Sequence, residues 1–409
     1  QGLYGTMCAS GAGGSTSHDD YGVLAVLTNT EYMGGDVVLS GTQNWGLYDY
    51  MFDYRAFQYV RPYQLWSTFY TLVANANIII DFFPAGEDPT NEVAKAALGQ
   101  AYAYRAMCYL DLARLYTPKQ NALAPVSADV LNLTVPIIDE TTDEAKSKNN
   151  PRATIEEIYD FIMSDLAIAE EYLANAGNSY NQPTLAALYG MYARAYLELG
   201  AAYDKVDKKA YAKAAEYARK AITVSGKTPL TAAQWHDPKS GFNDGSANNS
   251  WIWGLSLSVE NASNIITNIA HIAPEAIWGY SVLSLPSINK ALYELIDIND
   301  FRKKSWLDPE YTWNPSSETY NPNNGYQFAG NDDQVSGYES YGIKNAHEYF
   351  LAFTYPYVNL KFRPAGGQCV EYTEGNCADH LLMRVEEMYF IEIEATLYSK
   401  GIDAAKKLL

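Results

Sequence analysis

The sequence predicts a mostly α-helical protein, a tetratricopeptide-like helical-repeat scaffold carrying a loop-rich face with only small strands. Three observations lead there. Apolar residues recur at helical spacing in several long segments. Two neighbouring segments, "YGMYARAYLEL" and "YAKAAEYARKAI", alternate small with aromatic residues, as tetratricopeptide helices do so that two backbones can approach. Between the helical blocks run long stretches dominated by Gly, Asn, Pro, Tyr and Trp, which are uncommon at that length unless they carry function or lack order.

Residues 1–62 are rich in Gly, Tyr and Asn, with short strand-like pieces and no long helical period. The pattern then changes. In "LWSTFYTLVANANIIIDFF", Trp66, Phe69, Tyr70, Val73, Asn77 and Ile80 follow helical spacing, and Pro84 and Gly86 end the run. A second helix is expected from about Asn91 to Tyr116, with Leu98, Ala101, Arg105, Cys108 or Tyr109, and Leu112 on one face. Residues 117–152 read as a long insert. A third helix opens on Thr154-Ile155-Glu156-Glu157, a hydroxyl cap with Glu three residues on, which is a capping box. Its stripe is Ile155, Ile158, Ile162, Leu166, Ala169 and Leu173, and Gly177 is the stop. The fourth starts near Pro183, carries Leu185, Leu188, Tyr192, Tyr196 and Leu199, and ends at Gly200; the fifth follows Asp207 with Tyr211, Ala214, Ala218, Ala221 and Ile222. These two form a helical hairpin.

From 225 to 280 the pattern is irregular. A short helix is expected near 286–298, then loops and short strands over 308–377. A seventh helix spans 379–399, and an eighth begins at Ile402 and stops at Leu409 in mid-pattern. The expectation is one domain over 1–409, with scaffold helices at about 66–116, 154–224 and 379–409 and loop-rich regions at about 1–62, 225–285 and 300–377. Both ends read as trimmed: the chain starts at Gln1 without Met or a signal peptide, and the last helix lacks its cap.

Composition excludes several classes of function. The net charge is −19, and no basic patch offers a nucleic acid a footprint. No apolar run reaches the length of a membrane helix. Four cysteines are too few for a disulfide scaffold, although Cys369 and Cys377 share one loop and could pair. The unusual count is aromatic: 35 Tyr and 8 Trp against 13 Phe. Tyr and Trp combine a flat apolar face with a polar tip, which suits a wet recognition surface as well as a core.

No catalytic motif stands out. There is no GxSxG, HExxH, GxGxxG or phosphate loop. His18 with Asp19 and Asp20 on a Gly/Ser loop reads more readily as a solvated turn than as a metal site, and so does Asp332-Asp333 as a calcium pair. No metal and no cofactor is expected. The densest acids lie in "LLMRVEEMYFIEIEATLYSKG", residues 381–401. On a helix, Arg384 and Glu387 are neighbours and Glu394 lies two turns further on the same face. The structural reading, a paired Arg–Glu network with Glu386 and Glu392 facing water, outweighs a catalytic one.

The same stretch carries a resemblance. Through Arg384, Glu387, Glu394 and Ala395 it resembles the "RyAEvlLmyAEA" motif of the SusD/RagB family, outer-membrane nutrient-binding lipoproteins of Bacteroidetes; Val385, Glu386, Glu392 and Ile393 depart from it. "LWSTFYTLVANANIII" resembles the family's Trp…Tyr…Ala-Asn helix through Trp66, Tyr70, Ala76 and Asn77. "AYRAMCYLDLARLYTP" resembles the "RAyyYfdLvrlyG" helix through Arg105, Ala106, Tyr109, Leu112 and Tyr116, with Thr117 where Gly is usual. "PRATIEEIYDFIMSDLAIAEEYL", "LPSINKALYELIDINDFR" and "GLYGTM" match in family order. The resemblance implies a SusD-like fold of about four degenerate tetratricopeptide units. It implies a protein, not an enzyme, that is anchored on the outer face of the outer membrane by an N-terminal lipid absent from this chain. Such a protein binds oligosaccharides, or in some cases peptides, over a SusC-type TonB-dependent transporter. It makes Arg105, Arg384, Glu387 and Glu394 a structural network.

The helical motifs are scaffold, so ligand contacts are expected on loops. The resemblance points to "GTQNWGLYDY" and "NIITNIAHIAPEAIWGYSV". Trp45, Tyr48, Trp278 and Tyr280 are the candidate stacking platform, and Gln43 and Asn44 the candidate hydroxyl partners; Trp306, Tyr311 and Trp313 are second-line candidates. Sugar rings offer C–H faces to flat aromatics and hydroxyls to amides, the mix of apolar wall and convergent polar groups that small-ligand sites use. Replacing Trp45 or Trp278 with Ala is expected to weaken glycan binding and leave Tm nearly unchanged. Peptide capture, and a tetratricopeptide scaffold with protein partners only, are the alternatives.

Overall fold

A computed structural model gives the architecture; it describes residues 2–409 apart from 40–45, 52–54, 84–88, 121–124, 178, 203–204, 238, 263–264, 277, 310–312, 315–318, 321–355 and 370. Helices α1 (Gly2–Cys8), α2 (Val23–Tyr32) and α3 (Leu47–Tyr50) precede the scaffold helices α4 (Val60–Asp81) and α5 (Glu92–Tyr116). Short α6 (Glu144–Ser147) lies in the insert, followed by α7 (Ile155–Leu173), α8 (Leu185–Leu199) and α9 (Lys208–Ser225). Then come short helices α10 (Ala232–His236), α11 (Asn268–Ile272), α12 (Ser281–Ser284), α13 (Lys290–Leu295) and α14 (Tyr372–Gly375), and finally α15 (Val385–Lys400) and α16 (Ile402–Ala405). The strands are β1 (Val37–Leu39), β2 (Trp251–Leu255), β3 (Pro286–Ile288), β4 (Trp313–Asn314), β5 (Thr319–Tyr320) and β6 (His380–Arg384). They form antiparallel pairs β1–β3, β2–β6 and β4–β5.

Scaffold helices stack in order: α4 on α5, α5 on α7, α8 on α9 and α9 on α15. Local chemistry explains their ends. The Glu157 N–H donates to Thr154 Oγ1 at 3.2 Å while the Thr154 N–H donates to Glu157 Oε2 at 2.8 Å, closing the capping box of α7. Asp207 accepts from the Lys209 and Ala210 N–H groups at the start of α9. The α7 stripe from Ile155 to Leu173 is buried. Small residues set the spacing between helices: a Cβ on Gly200 would lie 2.6 Å from the Tyr211 ring, and one on Gly190 would lie 2.2 Å from Met383 Sδ. Arg105, 2% exposed, joins three helices. It donates twice to Asp165 on α7, both at 2.8 Å, and once to Asn77 on α4 at 2.7 Å; Glu140 of the insert accepts at 2.5 Å.

Three sequence expectations are corrected. The stretch before residue 60 holds one short strand, β1, as expected, but also three helices, α1, α2 and α3, that the pattern does not predict, and α4 itself begins at Val60. Helix α2 escapes the periodicity test because it is buried on nearly every side, from Val23 to Val26 and again at Thr28, Asn29 and Tyr32. The short helix expected from residue 286 starts at Lys290, because Pro286–Ile288 pairs with β1 instead.

The third correction concerns 381–401. Residues His380–Arg384 are a strand pairing with β2, and the helix starts only at Val385. Tertiary pairing overrides the helical reading, since the β2 edge supplies the backbone partners. Arg384 therefore stands outside the helix and does not pair with Glu387. Its guanidinium lies over the rings of Trp235 and Phe242 at 5.0 and 5.4 Å, with Glu386 at 3.8 Å. Glu387 instead takes a two-pronged contact from Arg194 on α8 at 2.6 and 2.7 Å. Glu392, expected in water, is 8% exposed and bound by Arg219 of α9, whereas Glu394 is the exposed one. Glu386 accepts the Leu230 N–H at 2.9 Å. Glu386, Glu387 and Glu392 are structural, each answering to a different basic or backbone group.

No described helix is long and apolar enough to cross a membrane. No disulfide joins Cys369 and Cys377.

Candidate functional site

One charged residue organises the face in front of α4. Arg61 sits in the first turn of that helix, 1% exposed. It donates to both carboxylate oxygens of Asp49 on α3, at 2.6 and 2.8 Å, to Asp19 at 2.5 Å and to Gln64 at 2.5 Å. Two segments remote in sequence are thereby fixed to the scaffold. Burial opposes charge on Asp19, but the Arg61 guanidinium outweighs it and holds the carboxyl at about 2. With Asp49 turned inward, its neighbour Tyr48 lies on the surface, 42% exposed.

With Asp19 turned toward Arg61, its neighbour His18 meets a stack of rings. The His18 ring lies 4.2 Å from Tyr280 and 5.2 Å from His271, nearly parallel to the latter at 9°. His271 also faces Tyr280 at 4.9 Å and Tyr21 at 4.7 Å. The tautomers follow from the partners. His271 Nδ1 lies 2.7 Å from the Thr267 carbonyl, so it must carry the proton. Its Nε2 is then an acceptor, and His18 Nδ1, 2.9 Å away, donates to it. Burial lowers the His271 pKa to about 4 and that of His18 in the same direction, so the rings stack as neutral imidazoles near neutral pH. Four flat rings from three segments form an apolar wall; His18 and Tyr280 are half-buried, and Tyr21 and His271 lie behind them.

The sequence candidates distribute unevenly around this wall. Tyr280 is in it, and Tyr48 is tied to it through Asp49, Arg61 and Asp19. Trp278 has other neighbours. It packs on the small cluster of Ile269, Ala273, Ala276 and Ala378, and its Nε1 lies 3.4 Å from the Gln368 carbonyl. Half-buried there, it contributes packing, so its truncation is expected to lower Tm. Trp306 belongs to a different place, pairing by backbone with Asn359 and lining a cavity behind α2. Gln43, Asn44, Trp45 and Tyr311 lie outside the described residues, as do Asp332 and Asp333. Of Trp313 only the backbone, in β4, is described.

Asp19 and Asp20 are committed within the protein. Asp20 accepts the N–H groups of Gly13 and Ser15 at 2.8 and 2.9 Å, and Asp19 is held by Arg61. Among the described residues no group of His, Cys, Asp and Glu could hold a metal ion. Sequence reasoning missed Arg61, Asp49 and His271. The available signal was a lone ionisable group in an uncharged setting: Arg61 opens a helix whose next charge is Asp81, and His271 interrupts "NIAHIA".

Residues 23–197 match a SusD-like family model described as starch-binding and associating with the outer membrane. No curated protein sequence matches the chain. Among solved structures, a SusD-like carbohydrate binding protein from Bacteroides vulgatus superposes with a TM-score of 0.69 at 20% identity, over 100% of this chain and 72% of that one. A SusD superfamily protein from Parabacteroides distasonis gives 0.66 at 19% identity, over 94% and 72% of the two chains. A laminarin binding SusD-like protein gives 0.60 at 15% identity, over 99% and 81%.

Proposed function

We propose, from the premise that this chain is SusD-like, that it is a cell-surface glycan-binding protein. It delivers oligosaccharides to a partner SusC-type TonB-dependent transporter, is held at the outer face of the outer membrane by an N-terminal lipid, and performs no catalysis itself. One observation carries the reading: the stacked wall of His18, His271, Tyr21 and Tyr280, held to the scaffold by Arg61 with Tyr48 exposed on the adjoining α3. Neutral stacked rings match the C–H faces of sugar rings. The half-buried rings of His18 and Tyr280, backed by Tyr21 and His271 and with the neighbouring acids turned away into an ion network, suit an uncharged ligand better than a charged one. The similarity to a laminarin binding protein is consistent with this. Trp45, Gln43 and Asn44, next in sequence to α3, are proposed as further contacts.

Affinity electrophoresis of the protein through plant, host and microbial polysaccharides tests the reading. Retardation by at least one glycan is expected, lost in Tyr280→Ala. Binding of peptides with no retardation by any polysaccharide would move the assignment to peptide capture. Reducing-sugar release by pure protein would overturn the non-enzymatic reading.

A further inference from the structure

One face of α4 fronts a groove of about 660 Å³, bounded on the other side by the end of α1 and residues 9–14. It shares no residue with the ring wall. Its size falls within the roughly 300–1,000 Å³ of small-molecule pockets. None of the described residues that line it is charged, in a chain with 29 basic and 48 acidic residues. A charged ligand finds no counter-charge there.

Tyr63, Trp66 and Tyr70 line the groove in succession along one face of α4. The inner rings are fixed. Trp66 lies 4.6 Å from Tyr70 and meets Tyr116 edge-on at 5.2 Å. The Tyr70 hydroxyl donates to the Pro136 carbonyl at 2.6 Å, and the Tyr116 hydroxyl to the Pro62 carbonyl at 3.1 Å. Rings already held in place lose little freedom when a ligand stacks on them. Tyr63, at the outer end, is 57% exposed. Polar groups stand among the rings. The hydroxyls of Tyr63, Ser67 and Thr71 and the Trp66 N–H have no hydrogen-bond partner among the described residues. Of these, the half-buried Trp66 N–H and Ser67 hydroxyl still reach the surface. Asn75 donates its amide to Thr6 Oγ1 at 3.0 Å, which leaves its carbonyl oxygen as an acceptor.

We propose that this groove is a second saccharide site, taking a short run of neutral sugar rings with Tyr63 and Trp66 as stacking faces and the Ser67 and Thr71 hydroxyls as hydrogen-bond partners. The proposal takes its class of ligand from the glycan reading, but it does not need the ring wall to be where that ligand binds. Flat rings interleaved with unpaired donors match a ligand that is apolar on its C–H faces and polar at its edges. Much of the lining is exposed or half-exposed, so this is a weak site, filled at about 1–10 mM saccharide and too weak to retard the protein in a gel.

The test titrates the intact protein with maltohexaose, laminarihexaose, cellohexaose and mannohexaose, and follows the indole N–H signals of its eight tryptophans by NMR. Trp66→Phe assigns the Trp66 signal. That signal should move with at least one of the four saccharides. The response should persist within roughly twofold in Tyr280→Ala, and weaken at least about tenfold in Tyr63→Ala, whose side chain is exposed. Thr71→Arg, a bulky charge on the same exposed face, should abolish it and serves if Tyr63→Ala does not fold. A Trp66 signal unmoved by every saccharide, a response unchanged in both groove variants, or one lost in Tyr280→Ala would overturn the proposal. Binding that moves other signals but not Trp66 sinks the groove and leaves the glycan reading standing. A response that survives Tyr280→Ala and is lost in Tyr63→Ala upholds the groove even where the wall binds nothing.

Discussion

At the scale of single residues, the interior is organised by arginines that each hold several acceptors. Arg105 is the clearest, since Asp165 is 2% exposed and depends on it for both oxygens. Removing one partner of a buried pair strands the other charge. Arg105→Met should therefore cost about 3–5 kcal/mol in urea unfolding, and adding Asp165→Leu should recover most of it, since an apolar pair of similar volume is often neutral. A second residue-scale prediction concerns pH. His271 and His380 are buried neutral, with pKa lowered to about 4 and about 3 by burial. An unfolded histidine titrates near 6.5, so below that pH the unfolded chain binds protons that the folded chain refuses. Stability is full above roughly pH 6.5 and falls as the pH drops, by about 1.4 kcal/mol per pH unit for each such histidine. His380→Gln should flatten the slope measured between pH 7 and 5; an unchanged slope would show that His380 does not stay neutral in the fold.

Elements are held by contacts that their own sequences only partly announce. The start of α7 was legible residue by residue, because a capping box is local chemistry. Thr154→Ala should cost about 1 kcal/mol, read as a shift in urea midpoint without a change in m-value. The meeting of α8 with β6 was not legible. Gly190 is there because Met383 occupies the space a Cβ would take. Gly190→Ala should cost roughly 1–3 kcal/mol by overpacking. In a cycle with Met383→Ala the two penalties should be strongly non-additive, because the smaller side chain vacates the clash. The split of residues 381–401 into strand and helix has the same origin: its pattern admits a helix throughout, and the edge of β2 decides otherwise.

For the whole molecule, scaffold and ligand face answer to different measurements. Tyr280→Ala should weaken glycan retardation with Tm within about 2 °C of the parent, since the ring is half-buried on the face. Trp278→Ala should lower Tm, because the side chain, though half-buried, packs on the buried cluster of Ala273 and Ala276. The charge of −19 adds a control. Binding of a neutral glycan should be insensitive to salt between about 50 mM and 0.5 M, whereas capture of a cationic peptide by so acidic a chain should fall steeply.

The scaffold is legible in the sequence alone: the stripes of α4, α5, α7, α8 and α9, the cap of α7 and the small–aromatic hairpin. Those features are local, written within a few turns of chain. The sequence also singled out Tyr48 and Tyr280, as aromatic residues on loops. Which acids and bases pair is set by the packed chain, because Arg194 meets Glu387, Arg219 meets Glu392 and Arg61 meets Asp49 across distances in sequence that no periodicity spans. The tertiary structure decided likewise that Trp278 packs beside Ile269 and Ala273 and that His18 and His271 stack with Tyr280. An aromatic or a histidine reads the same in sequence whether it points to solvent or to core; the direction is set by what the rest of the chain brings beside it.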